Sequence, residues 1–127
     1  MPLLVRIDRN QRIIFADGEG VVTDEDLMAY VREYLDGNEL AGFDELFDLS
    51  AADLHDLTYM GLATVAAAAA ATDSDASPIK IALLVSEAQG MIVSRLYQSL
   101  RESKGGKRET RVFRDRTECR EWLGLDA

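Results

Sequence analysis

The chain opens on two runs of β-branched and large apolar residues, Leu3-Leu4-Val5-Arg6-Ile7-Asp8 and Arg12-Ile13-Ile14-Phe15-Ala16-Asp17, separated by the short polar stretch Arg9-Asn10-Gln11. That arrangement predicts a β-hairpin, with Gly18 and Gly20 closing its second strand. The spacing then lengthens. Leu27, Val31, Tyr34 and Leu35 fall at i, i+4, i+7 and i+8, which is the apolar stripe of a helix, with Tyr30 off the stripe. Thr23 precedes Asp24-Glu25-Asp26, an N-cap followed by acids where the helix dipole favours them. Gly37-Asn38 ends the segment.

Phe43 to Leu49 predicts a third strand, and a second helix is expected from about Thr58 to Thr72. The Ala66 to Ala71 run of that helix has high intrinsic helicity, and the loop Asp73 to Pro78 stops it. Ile79 to Val85 is nearly continuously apolar, as a parallel strand covered on both faces should be. Ser86 and Gln89 read as a capping box for a third helix, which carries the rows Ile92, Leu96, Leu100 and Val93, Tyr97. Lys104-Gly105-Gly106 breaks it. Arg111-Val112-Phe113 forms a short last strand, and Asp115 or Thr117 caps a final helix bearing Cys119, Trp122 and Leu123. The order β-β-α-β-α-β-α-β-α predicts an α/β fold: a mixed, mostly parallel sheet of about five strands covered by about four helices. Residues 1–127 are expected to form one domain.

Composition agrees with that picture. A chain of 127 residues with 47% apolar content buries roughly two thirds of its unfolded surface, so it needs no metal or disulfide staple. Cys119 stands alone, which excludes an internal disulfide and fits a reducing compartment. Met1 to Arg12 lacks the cationic and apolar regions of a secretory signal, and the longest apolar tract, Val65 to Ala71, is too short to span a bilayer. A cytoplasmic location without a membrane span is expected.

Charge narrows the partners. The net charge is −9, and it is unevenly placed. Residues 1–85 hold 5 basic and 16 acidic side chains, whereas residues 86–127 hold 9 basic and 7 acidic. An acidic chain repels the phosphate backbone, so no nucleic-acid partner is expected. The run Lys104, Lys107, Arg108, Arg111, Arg114, Arg116 reads as a solvated surface, with a local positive face as the alternative. The asymmetry suits head-to-tail or partner docking better than DNA.

In open α/β sheets, sites lie beyond the carboxyl ends of the strands. Here that means Asp48 to Thr58 and Ser86 to Gly90, the first holding three acids, two hydroxyls and the only histidine. Asp48, Asp53, Asp56 and His55 could serve a metal, but neither a helical His pair nor an Asp-x-Asp-x-Asp-Gly loop is present. Ser50 or Thr58 could be a nucleophile with His55 as base, but there is no Gly-x-Ser-x-Gly elbow, and His55 is too near Ser50 in sequence for an oriented pair. In the third reading Asp56 caps the second helix and Thr58 lies in its first turn, where backbone N–H groups would stabilise an added phosphate. Its plain counterpart is that both residues only cap. Cys119 and Trp122 are expected to be core and lid residues of the last helix.

Asp48-Leu49-Ser50, then Asp56, then Gly61-Leu62 resembles the corresponding segment of STAS domains, typified by bacterial anti-sigma factor antagonists. There a strand ends in Asp-Leu-Ser and a helix opens with Asp-Ser-Ser-Gly-Leu, whose serine or threonine a partner kinase phosphorylates. The whole chain resembles the SpoIIAA-like (STAS-like) family, whose fold is related to the CRAL-TRIO lipid-binding fold. The hairpin, Gly18 to Asp26, Lys80 to Val85, Gly90 to Arg95, and Val112 to Asp115 with Trp122-Leu123 carry that resemblance. It departs from the STAS pattern at Leu57, which replaces the first serine, and in the longer step from Thr58 to Gly61.

The resemblance implies a non-enzymatic regulatory or protein-interaction module, with Ser50, Asp56 and Thr58 as phospho-switch or partner contacts. No catalytic residue, cofactor or metal is expected. The partner is expected to be a protein or a second copy of the chain, and Tyr59, Met60, Leu62 and Tyr30 are the apolar residues that could form a dimer contact. The alternative is a carrier or sensor of a small apolar or amphipathic, lipid-like ligand, for which the small side chains of Ala66 to Ala71 would leave a cavity against the sheet. The opposing expectation is that these alanines let the helix pack closely.

Overall fold

The computed structural model describes residues 2–37, 39–40, 42–73 and 79–125. Its elements run β1 (Leu3–Asp8), β2 (Ile13–Val21), α1 (Asp24–Tyr30) with a π-helical turn (Val31–Leu35), β3 (Asp44–Asp53), α2 (Tyr59–Ala70), β4 (Lys80–Leu84), α3 (Ala88–Ser103), β5 (Glu109–Phe113) and α4 (Arg116–Trp122). The sheet order is β1-β2-β3-β4-β5; β1 and β2 pair antiparallel, and every later pair is parallel. The expected five-stranded mixed sheet with four helices is the one observed.

Because each crossover moves to the next strand in the same direction, right-handed connections place successive helices on one face of the sheet. The cores follow. Ile14, Ala16, Phe47, Ile81 and Leu83 point toward Tyr30 and Val31 of the first helical segment and Val65 and Ala69 of α2. The alternate residues Ile13, Phe15, Leu46, Ala82, Leu84 and Phe113 point to the opposite face, under Cys119, Leu123 and Leu125. Leu62, Ala66 and Leu100 join α2 to α3.

Several boundaries and faces differ from those expected. β2 does not close at Gly18 but continues to Val21, through a register shift between Asp17 and Glu19. β3 extends to Asp53, since Ala51, Ala52 and Asp53 pair with Glu19, Gly20 and Val21 of the lengthened β2. Tyr30 is buried rather than off the stripe, since it lies three residues after Leu27 and four before Tyr34 and so shares their helix face. Its hydroxyl donates to Glu45 at 2.7 Å, and its ring meets Phe47 edge-on. Leu62 is likewise buried, whereas Ile92 is exposed on the outer side of α3.

Capping is also reassigned. Thr23 and Asp26 form the reciprocal box of α1, and Asp115 caps α4. The residue at the N-cap of α3 is Glu87, without a side-chain bond. Ser86 instead donates to the Ser50 carbonyl at 2.9 Å, tying the ends of β4 and β3 together. The basic run is not one solvated surface: Arg108 is buried, Arg111 pairs with Glu109, and Arg116 pairs with Asp48. Asn38 and the loop residues 74–78 lie outside the described residues.

Candidate functional site

β3 carries the chain to Asp53, Leu54 tucks inward, and a turn at His55 and Asp56 delivers Leu57 and Thr58 to the start of α2. The cap of α2 is Thr58, not Asp56. Thr58 has extended backbone angles, and its Oγ1 accepts from the Gly61 N–H at 2.9 Å. Asp56 is exposed and makes no hydrogen bond among the described residues. Being two residues too early, it cannot reach the first free N–H groups of the helix.

Thr58 has a second partner from far along the chain. Its hydroxyl donates to Asp24 Oδ2 at 2.7 Å, and its N–H donates to Asp24 Oδ1 at 3.2 Å. The first residue of α1 thus grips the cap of α2. Gly61 makes room for this grip, because a Cβ there would stand 2.0 Å from Asp24 Oδ2 and 2.1 Å from its Cγ. Tyr59 and Met60 beside the grip are strongly exposed, at 61% and 76%.

Ser50 lies elsewhere, at the end of β3. Its N–H and hydroxyl both donate to Asp48 Oδ1, while Arg116 donates to Asp48 Oδ2 at 2.6 Å. Partial burial pushes the Asp48 carboxyl up, but the Ser50 and Arg116 hydrogen bonds outweigh it and hold the group below its usual range. Asp53 accepts from the His55 backbone N–H and lies 2.7 Å from its Nδ1, and these bonds hold the Asp53 carboxyl low as well. Ser50, Asp53, His55, Ser86, Gln89 and Gly90 line an open polar cleft of about 400 Å³ beyond β3 and β4.

The junction therefore brings neither Ser50 nor Thr58 onto His55, since Ser50 turns to Asp48, Thr58 to Asp24 and His55 to Asp53. Among the described residues, no three His, Cys, Asp or Glu side chains converge as a metal would require. Cys119 is fully buried, and desolvation pushes its thiol up to about 11.

One further feature has no counterpart in the sequence reading. A charged cluster is buried between α3, β5 and β3. Arg101 pairs with Asp73, Arg108 pairs with both Asp73 and Glu45, and each of these four side chains is no more than 2% exposed. Tyr30 bonds to Glu45, and Tyr97 accepts from Arg101, completing the cluster. Burial drives the Tyr30 hydroxyl well above its ordinary value, with the Glu45 charge adding to the rise. Next to the cluster is a partly open cavity of about 50 Å³, walled by Val22, Leu27, Phe47, Leu62 and Val65 among others.

The strand order, the antiparallel edge pair and the helix-start junction on the second crossover together invite comparison with known proteins. No family model matches the chain, and no curated protein matches it. Among solved structures it is similar to an uncharacterized protein of the DUF3478 family with a SpoIIAA-like fold, from Shewanella loihica PV-4. The TM-score is 0.61 at 16% sequence identity, covering 95% of this chain and 93% of that one. The chain has a SpoIIAA-like fold. Within that SpoIIAA-like frame, Thr58 and Asp24 hold the second crossover helix to the first. No helix among the described residues is long and apolar enough to cross a membrane.

Proposed function

We propose that this chain is a non-enzymatic regulatory module that docks a protein partner at the start of α2, with Thr58 as its phosphate switch. The observation that carries the reading is the Thr58 hydroxyl itself. It is exposed, it caps an interior helix, and it is bonded to the Asp24 carboxylate of a neighbouring helix. A phosphate on that oxygen would remove the proton it donates to Asp24 and set roughly two negative charges against a third. The free N–H groups at the start of α2 favour the phosphate, while Asp24 is repelled. Modification would therefore part α1 from α2 without unfolding α2, and would recast the surface around Tyr59 and Met60.

The absence of a paired nucleophile and base at Ser50 and His55 fits a binding role. In this reading Ser50 and Asp56 flank the docking surface and are not themselves the switch. The test is intact-mass and peptide mass spectrometry of protein purified from its own host across growth states, paired with hydrogen exchange on protein carrying phosphothreonine at position 58. The expected result is one phosphate at Thr58 and faster amide exchange confined to the starts of α1 and α2. Protein never phosphorylated at Thr58, with exchange unchanged by installed phosphothreonine, would refute the switch.

A further inference from the structure

β1 is a sheet edge with a defined set of unpaired groups. Pro2 O accepts from the Glu19 N–H, and Arg12 O, on the other side of β2, accepts from the Asp44 N–H of β3. With the unbroken register of β1 on β2, those bonds set the alternation along the strand. Leu4, Arg6 and Asp8 exchange backbone bonds with Asp17, Phe15 and Ile13, whereas Leu3, Val5 and Ile7 turn theirs outward. Three N–H and three C=O groups at this edge therefore have no partner among the described residues.

The far edge is partly closed. The Glu109 N–H of β5 donates to Ile79, so Thr110 faces outward, and its carbonyl accepts from Gln98 Nε2 at 2.8 Å. β1 has no such cover. From Leu3 to Asp8 it also has no proline, lysine or register break, the devices that commonly keep an edge from pairing. Arg6 is drawn back over the Phe15 ring, 4.2 Å from its centroid, and so rests on its own sheet face rather than across the edge. Leu4 is 53% exposed on that face, and Val5 and Ile7 are only half-buried on the other.

The strand that fits this edge is β1 itself. Laid antiparallel on a second copy with Val5 on the two-fold axis, Val5 meets Val5, and Leu3 meets Ile7 in both directions. Every outward group then finds a partner, in six hydrogen bonds. An axis through Leu4 would leave Ile7 outside the pairing, and one through Arg6 would leave Leu3 outside it. In the Val5 register Leu4 lies opposite Arg6, and Asp8 opposite Pro2, so no like charges stand directly across from one another. We propose that β1 is a homodimer contact, in which two copies pair about Val5 and join their sheets into one. The contact is independent of the Thr58 switch, and either can fail alone.

Sedimentation velocity of the full chain, from about 1 µM to about 1 mM, tests the contact, because a single short strand makes a small interface of the reversible class. The expected result is a monomer–dimer equilibrium within that range. Val5→Pro removes an outward N–H and no bond to β2, as an edge proline does, and should leave a folded monomer throughout. Leu4→Lys, at an exposed site, sets a like charge against Arg6 of the second copy and should weaken the dimer about tenfold or more. At the highest concentration, isotope-filtered NMR of mixed labelled and unlabelled protein should show Leu4 Hα against Arg6 Hα of the second copy, the Cα atoms of such a pair being about 4.5 Å apart. A chain that stays monomeric throughout would leave the edge to a foreign strand and overturn the proposal. A dimer untouched by Leu4→Lys, or contacts between copies in another register or at another surface, would overturn it equally.

Discussion

Replacing Gly61 by alanine tests the grip between α1 and α2 without touching either residue that makes it. The new methyl would occupy the space of the Asp24 carboxylate, with Oδ2 2.0 Å from the Cβ position, so Asp24 must swing away and release Thr58. Hydrogen bonds to a charged acceptor are worth about 1.5–3 kcal/mol when shielded, but this site is solvent-exposed, which reduces the pair to about 1–2 kcal/mol. Against that, alanine is a better helix former than glycine by about 0.5–1 kcal/mol. Gly61→Ala alone should then destabilise by about 0.5–1 kcal/mol, the difference of those two contributions. In an Asp24→Ala background the clash and the lost bonds are both absent, so Gly61→Ala should instead stabilise. Urea denaturation of the four proteins in the cycle gives the coupling, expected at about 1–2 kcal/mol, where independent sites add within about 0.5. A coupling inside that additive range would show that Asp24 does not hold the α2 cap over Gly61, and the switch mechanism would lose its lever.

Other expectations follow from the buried groups and the Asp48 pair. Arg108→Leu leaves buried Glu45 without its cation and Asp73 with Arg101 alone, and should cost about 3–5 kcal/mol in urea denaturation; a loss below about 1 kcal/mol would mean that the cluster is hydrated. Cys119, with a thiol at about 11 and no exposure, should resist iodoacetamide at pH 8 in the native protein and react on unfolding; rapid native alkylation would contradict the burial. The Asp48 carboxyl is depressed in the folded state, so its contribution is complete above its unfolded value of about 3.9 and is lost as pH falls through the folded one. Arg116→Ala should therefore flatten the acid side of the stability–pH curve, and an unchanged acid limb would remove Asp48 from the balance.

What could be read along the chain was what short-range chemistry decides. The hairpin, Thr23 as an N-cap, Asp115 as a cap and the two-sided burial of Ile79 to Val85 all rest on neighbours within a few residues, and all appear in the structure. Long-range competition decided the rest. Ser86 had a suitable capping partner in Gln89 but found the Ser50 carbonyl across the sheet. Thr58 was visible as a hydroxyl at a helix start, but Asp24, 34 residues away, carries no local mark of its role. Asp73 looked like an ordinary loop acid, and Arg108 like one cation in a soluble run; burial makes them partners. The alanine run packs closely, with Ala66 and Ala69 nearly inaccessible, and the cavity lies instead along Leu62 and Val65.

The buried charge cluster also bears on how the chain is made. Its acids, Glu45 and Asp73, are synthesised before its cations, Arg101 and Arg108. A nascent chain that has completed β4 already has most of its sheet, yet closing the core at that point would seal two carboxylates away from water with nothing to oppose them. The interior would thus stay open until α3 and β5 emerge, and a product cut short before Arg101 would lack both cations of the cluster. The excess of negative charge in the first two thirds of the sequence becomes, at these two positions, a requirement that the chain be finished before it is folded.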